Sequence, residues 1–251
     1  MVPGLKLFAE HFHEHSDSYV IIGGTACDLA MRSAGLEFRG TRDLDIVLLA
    51  EGLNEEFFER FWAFVHDGCY RRREREDDSR CYYRFTNPGS GQHPFMLELF
   101  SRVPDVLVPI EGSHLTPLPS GGEASSLSAI LLDDAYYEFL RAGKRQEEGV
   151  SHVGAECLIP LKARAWLDLT ARKAAGERVD SRAIKKHRND VFRLFSVLEA
   201  RPVNKVPAPV REDLKAFAAR IAGEEVGLRQ LGLRGVTVET VLDEIGRIYA
   251  L

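Results

Sequence analysis

The chain predicts an α+β protein, with a mixed sheet and flanking helices over residues 1–150 and a helical C-terminal domain over residues 151–251. Three observations lead there. Tyr19–Ile22 is an apolar run that ends in a Gly-Gly step. Two later segments, Asp43-Leu-Asp-Ile-Val-Leu48 and Met96-Leu-Glu-Leu-Phe100, have strand length and place single acids between apolar residues. From Leu158 onward the apolar residues recur at three- and four-residue spacing, which is the helical period.

Taken in order, residues Leu5 to His15 read as a first helix carrying His11, His13 and His15. Residues two apart on a helix point roughly 200° from each other, so this run does not converge on a metal; His11 and His15 share a face and are expected to be exposed. Tyr19–Ile22 is a buried strand, and a helix opens after the glycines, from Thr25 to Ser33. The strand holding Asp43 and Asp45 follows. Asn54 to His66 mixes acids with Phe57, Phe58, Phe61, Trp62 and Val65, the pattern of a helix that covers a sheet with an aromatic core face. Tyr82 to Phe85, the turn Asn87-Pro-Gly-Ser-Gly91, and Phe95 onward form a hairpin. Gly112 to Ser126 is the most linker-like stretch, and Leu127 to Leu132 reads as one more strand of the first domain, so the domain boundary belongs near residue 150. Helices over Ser181 to Leu198, Arg211 to Ala222 and Thr237 to Tyr249 complete a C-terminal bundle.

The chemistry concentrates around the aspartates. Side chains alternate along a strand, so Asp43 and Asp45 project from one face while Leu44 and Ile46 enter the core. Two carboxylates side by side repel each other unless a cation lies between them, and hard oxygen ligands of this kind suit Mg²⁺, which bridges carboxylates to substrate phosphates. Upstream, Gly23, Gly24 and Thr25 open a helix, whose free N–H groups and positive dipole end favour an anion, and glycine lets the backbone approach a phosphate closely. The expected ligand is a metal-bound nucleotide. Glu98, between Leu97 and Leu99, is the candidate third carboxylate, because an acid in an apolar strand calls for a partner; Asp105 is the substitute.

Strand, Gly-Gly, helix and then a strand bearing Asp-x-Asp resembles the nucleotidyltransferases of the polymerase-beta superfamily. Within it, Arg39-x-Thr41-x-Asp43-x-Asp45 is most similar to the AbiEii/AbiGii toxin family of type IV toxin–antitoxin systems. The resemblance implies a nucleotidyltransferase-like fold with a helical C-terminal part. It implies that Asp43, Asp45 and Glu98 hold one or two Mg²⁺ ions and act in catalysis, with Arg39 and Thr41 shaping the nucleotide pocket. It also implies NTP as substrate, pyrophosphate release, an RNA acceptor such as the 3′ end of tRNA, and a cognate antitoxin. Lys162 follows Pro160, which stands near the first turn of a helix where proline is tolerated. Leu161, Ala165 and Leu169 define that helix's buried stripe and leave Lys162 at its margin, where family members carry a phosphate-contacting lysine. On the next helix, packed through Ile184, Val191, Leu194 and Leu198, Arg188 is a candidate phosphate contact. Asp190 either positions a base or pairs with Lys186 at i,i+4 spacing.

Composition narrows the classes. A chain of 251 residues, 45% hydrophobic, buries a substantial core, and its net charge of −5 argues against a protein that coats nucleic acid over its whole surface. The run Arg71 to Arg80 holds five arginines and four acids and reads as a solvated loop, whereas the helix from Arg182 to Arg193 is the better RNA contact. No stretch reaches the roughly 18 apolar residues that span a bilayer, and the Met1-Val-Pro-Gly-Leu-Lys start lacks a secretion pattern, so a cytoplasmic location without membrane partners is expected. Cys27, Cys69, Cys81 and Cys157 are too scattered for a zinc site and are expected to be reduced thiols, Cys27 packed in its helix. Two further readings stay open: a small-molecule nucleotidyltransferase of the aminoglycoside-modifying kind, and a catalytically silent nucleotide-binding protein of the same fold.

Overall fold

The structure is a computed structural model and describes residues 2–72, 81–101 and 133–251. The Leu127 to Leu132 strand, the linker-like stretch, Asp105 and most of the Arg71 to Arg80 run lie outside the described residues. The chain divides into two compact units. The first takes the N-terminal elements together with residues 144–153, and the second takes the described residues 133–143 and 154–251.

The first unit is built on a mixed sheet of seven strands among the described residues, in the order β3-β4-β5-β2-β1-β7-β6. Its elements are α1 (Leu5–His11), β1 (Tyr19–Ile22), α2 (Gly23–Ser33), β2 (Asp43–Leu48), α3 (Glu55–Asp67), β3 (Arg71–Arg72), β4 (Cys81–Thr86), β5 (Met96–Ser101), β6 (Lys144–Glu147) and β7 (Val150–Val153). The strand β1 lies antiparallel to β2 and parallel to β7, while β2 runs parallel to β5. The expected hairpin is present, with β4 antiparallel to β5 and Arg84 opposite Glu98.

One face of the sheet is sealed by aromatic rings. Tyr19 meets Phe8 edge to face at 5.3 Å, Phe12 packs on Phe57 at 5.7 Å, and Phe61 meets Phe85 at 5.5 Å. Burying each of these side chains contributes roughly 1.5–3 kcal/mol, which makes this layer the main reason α1 and α3 lie on the sheet. The helix α3 starts where Asn54 accepts a hydrogen bond from the Phe57 amide at 2.8 Å. The first helix is shorter than expected. It ends at His11, a 3₁₀ turn carries His13–His15, and His15 is buried beside the Phe57 ring rather than exposed. His11 is held as well, its Nε2 lying 2.8 Å from the Arg60 carbonyl oxygen.

The second unit is helical: α4 (Asp134–Ala142), α5 (Ala155–Ala174), α6 (Ser181–Phe195), α7 (Ala208–Ile221) and α8 (Val238–Tyr249). The helix α4 is anchored by Asp133, whose carboxylate accepts from the Ala135 amide at 2.8 Å. The helix α5 begins earlier than the sequence indicates, so Pro160 sits inside it rather than in its first turn. A proline there removes the N–H that would bond the carbonyl four residues back, that of Glu156. The buried Tyr249 hydroxyl donates to this carbonyl at 2.9 Å, which accounts for the helix continuing through the proline. On the other side of α5, Trp166 packs edge-on against Phe217 at 5.2 Å, and Arg164 donates to Asp213 at 2.7 Å. The Tyr136 hydroxyl shares that carboxylate at 2.7 Å, and its burial raises the phenol far above its ordinary pKa.

Candidate functional site

The helix α2 begins at Gly23, two residues before the expected start, so both glycines form its first turn. Gly23 has φ +66, a left-handed conformation that glycine adopts without strain. A Cβ there would lie 1.6 Å from Asp45 Oδ2, and one on Gly24 would lie 2.6 Å from Thr41 Oγ1. The Gly-Gly step is therefore the backbone against which Asp45 and Thr41 close. The Gly24 amide points at Asp45 Oδ2 from 3.4 Å, a long contact that places the carboxylate at the positive end of α2. Thr25 Oγ1 donates to the Asp43 carbonyl at 2.7 Å and ties the helix to β2.

Asp43 and Asp45 are half-buried on β2, alternating with buried Leu44 and Ile46. The register of β2 with β5 pairs Asp43 with Met96 and Asp45 with Glu98. Because paired residues share a face, Asp43, Asp45, Glu98 and the facing Arg84 all stand on the sheet surface opposite Phe85 and Leu97. Glu98 is 7% exposed. It accepts from Arg84 Nε at 2.7 Å and pairs with Arg84 Nη2 at 2.5 Å. The Arg39 guanidinium lies 5.0 Å from the Phe38 ring centroid and that of Arg42 lies 4.8 Å from the Phe95 ring centroid.

A comparison with solved structures matches the chain to an antigenic nucleotidyltransferase-like protein from Paracoccidioides brasiliensis, at a TM-score of 0.50 and 15% identity, over 100% of this chain and 99% of that one. The fold is nucleotidyltransferase-like. No family model matches the chain, and no curated protein does. At this identity the likeness shows the fold alone and does not single out the toxin family.

Among the described residues, no group of three or more His, Cys, Asp or Glu side chains is arranged to hold a metal ion. Asp43 and Asp45 nonetheless supply two oxygen donors on one face. Mg²⁺ is commonly bound by one or two carboxylates plus substrate phosphates and water, and two neighbouring carboxylates fit that donor pattern.

The remaining candidates belong to the second unit. Lys162 is buried at 6% exposure rather than standing at the margin of its stripe, while Leu161, Ala165 and Leu169 are buried as expected. The Lys162 Nζ lies 3.9 Å from Asp190, which is fully buried and also pairs with Arg193 at 3.2 Å. The helix α6 buries Ala183, His187, Asp190 and Val191, so Asp190 faces the packed side; its ion pair with Lys162 joins α6 to α5, while that with Arg193 stays within α6 at i,i+3 spacing. Ile184 and Leu198, expected in the core, are half-buried, and α6 ends at Phe195. Arg188 pairs with Glu224 at 2.9 Å.

Arg84 was not singled out in the sequence. The signal was present in Tyr82-Tyr-Arg-Phe85, where a base occupies the alternate face of an otherwise aromatic strand, and only the hairpin register sets it against Glu98. Cys27 and Cys157 are buried thiols and Cys69 is an exposed one. Among the described residues no helix is long and apolar enough to cross a membrane.

Proposed function

We infer that the protein is a metal-dependent nucleotidyltransferase that moves a nucleotide from an NTP to an RNA acceptor, on the toxin pattern a tRNA 3′ end. The observation that carries this reading is the closure of Gly23 and Gly24 onto Asp45 and Thr41, with Asp43 on the same face. In it, Asp43 and Asp45 hold Mg²⁺, which neutralises charge on the reacting phosphates when bound. The N–H groups at the start of α2 supply donors for the triphosphate, and glycine at both positions leaves room for Asp45 and Thr41 beside them. Thr41 lines the pocket beside Asp45, and Arg39 offers a guanidinium to the nucleotide at its edge. A cognate antitoxin is part of the same reading.

The Arg84–Glu98 ion pair favours a second reading, that of a nucleotide-binding protein without transfer activity, because it engages the carboxylate expected to complete the centre. One assay separates these. The chain is incubated with each α-labelled NTP, Mg²⁺, total RNA and a panel of aminoglycosides. Label on RNA that Asp43→Ala lowers at least a hundredfold, with folding retained, supports the proposal. Label on the drugs assigns a small-molecule acceptor, and labelling undiminished by Asp43→Ala refutes the mechanism.

A further inference from the structure

Glu98 and Arg84 face each other across the β4–β5 ladder, on the surface that carries Asp43 and Asp45 and level with Asp45. The glutamate side chain is 10% exposed and the arginine 28%. A carboxylate at that depth needs compensation, and the guanidinium supplies it through two donors on one oxygen while remaining charged at every working pH.

Resting on the metal reading of the aspartates, we propose that Arg84 claims the third carboxylate, so that the cation centre is built from Asp43 and Asp45 and takes one divalent ion. Arg84 is then a positioning residue. By holding Glu98 as a compensated pair, it withholds that oxygen donor from the metal and sets both the charge and the stoichiometry of the centre. The ligand is a hard divalent cation, and release of Arg84 converts the site to three carboxylates.

The test is a Mn²⁺ titration of the full chain followed by electron paramagnetic resonance, which reads bound ion without any turnover. One ion per chain is expected, lost in Asp43→Asn/Asp45→Asn. Arg84→Met is expected to bind roughly tenfold tighter or to take a second ion, and Glu98→Gln is expected to bind more weakly, because it leaves the Arg84 charge unopposed beside the aspartates. Arg84→Met/Glu98→Gln, which removes both charges, returns to the wild-type value. An Arg84→Met/Glu98→Gln affinity lowered tenfold or more below wild type, which would make Glu98 a ligand, overturns the assignment of Arg84 and leaves the aspartate site standing. That arm decides the matter alone if Arg84→Met fails to fold. Absence of Mn²⁺ binding in the wild type, or binding unaffected by loss of both aspartates, overturns the underlying metal reading and the inference with it.

Discussion

Replacing Gly23 by alanine tests the contact that defines the site. The new Cβ would stand 1.6 Å from Asp45 Oδ2, 2.5 Å from its Cγ and 2.9 Å from its Cβ. The oxygen is the far end of a half-buried side chain and can rotate away, which costs about 0.5–1.5 kcal/mol off its rotamer. The Asp45 Cβ is fixed to β2 and cannot, so part of the strain passes to the backbone. Alanine at φ +66 adds about 1–2 kcal/mol. Gly35→Ala is the natural control, since Gly35 has φ +73 with nothing within 4 Å of its Cβ position, and it carries the conformational cost alone. Urea unfolding is expected to place Gly23→Ala about 1.5–3.5 kcal/mol below wild type and Gly35→Ala about 1–2 kcal/mol below. Mn²⁺ or nucleotide binding should be lost only in Gly23→Ala. Equal destabilisation of the two variants together with intact metal binding would refute the view that Gly23 is glycine because Asp45 needs the space.

Two other perturbations follow from buried charge. Asp190→Ala leaves Lys162 and Arg193 without their buried carboxylate and is expected to cost about 3–5 kcal/mol in urea unfolding, with much of that recovered by Lys162→Met/Asp190→Leu; a loss under about 1 kcal/mol would show the pair to be incidental. Burial lowers the pKa of His152 on β7, with Glu147 at 3.4 Å opposing the shift. The folded chain therefore binds this proton less readily than the unfolded one, so its contribution to stability is intact above about pH 6.5 and declines as pH falls below it, by at most about 1.4 kcal/mol per pH unit. Urea midpoints at three pH values should show a shallower acid decline in His152→Asn, with His93, shifted down by the same cause, accounting for part of what remains.

Much of the architecture was legible in local patterns. The β1–Gly-Gly–α2–β2 order, the hairpin that carries Glu98 and the aromatic face of α3 all followed from periodicity and turn chemistry, because each burial pattern is written within a few residues. The hairpin β6–β7 was not anticipated. Lys144 to Glu147 carries no apolar residue, as suits an edge strand, and only the left-handed pair Glu148 and Gly149, with φ +50 and +77, marks the turn. Nor does local patterning say that α4, earlier in the chain, belongs with the C-terminal helices while β7 pairs with β1.

Sequence alone determined which residue types could do chemistry: a pair of aspartates on one strand face, and glycines where a helix opens. The tertiary structure decided their partners. Glu98 meets Arg84 through a register between strands, Asp190 meets Lys162 through the packing of α6 on α5, and Gly23 is confined by a carboxylate 22 positions later. Side-chain chemistry is a property of each residue, but the neutralisation of a charge depends on which distant segment arrives beside it, and only the folded chain sets that.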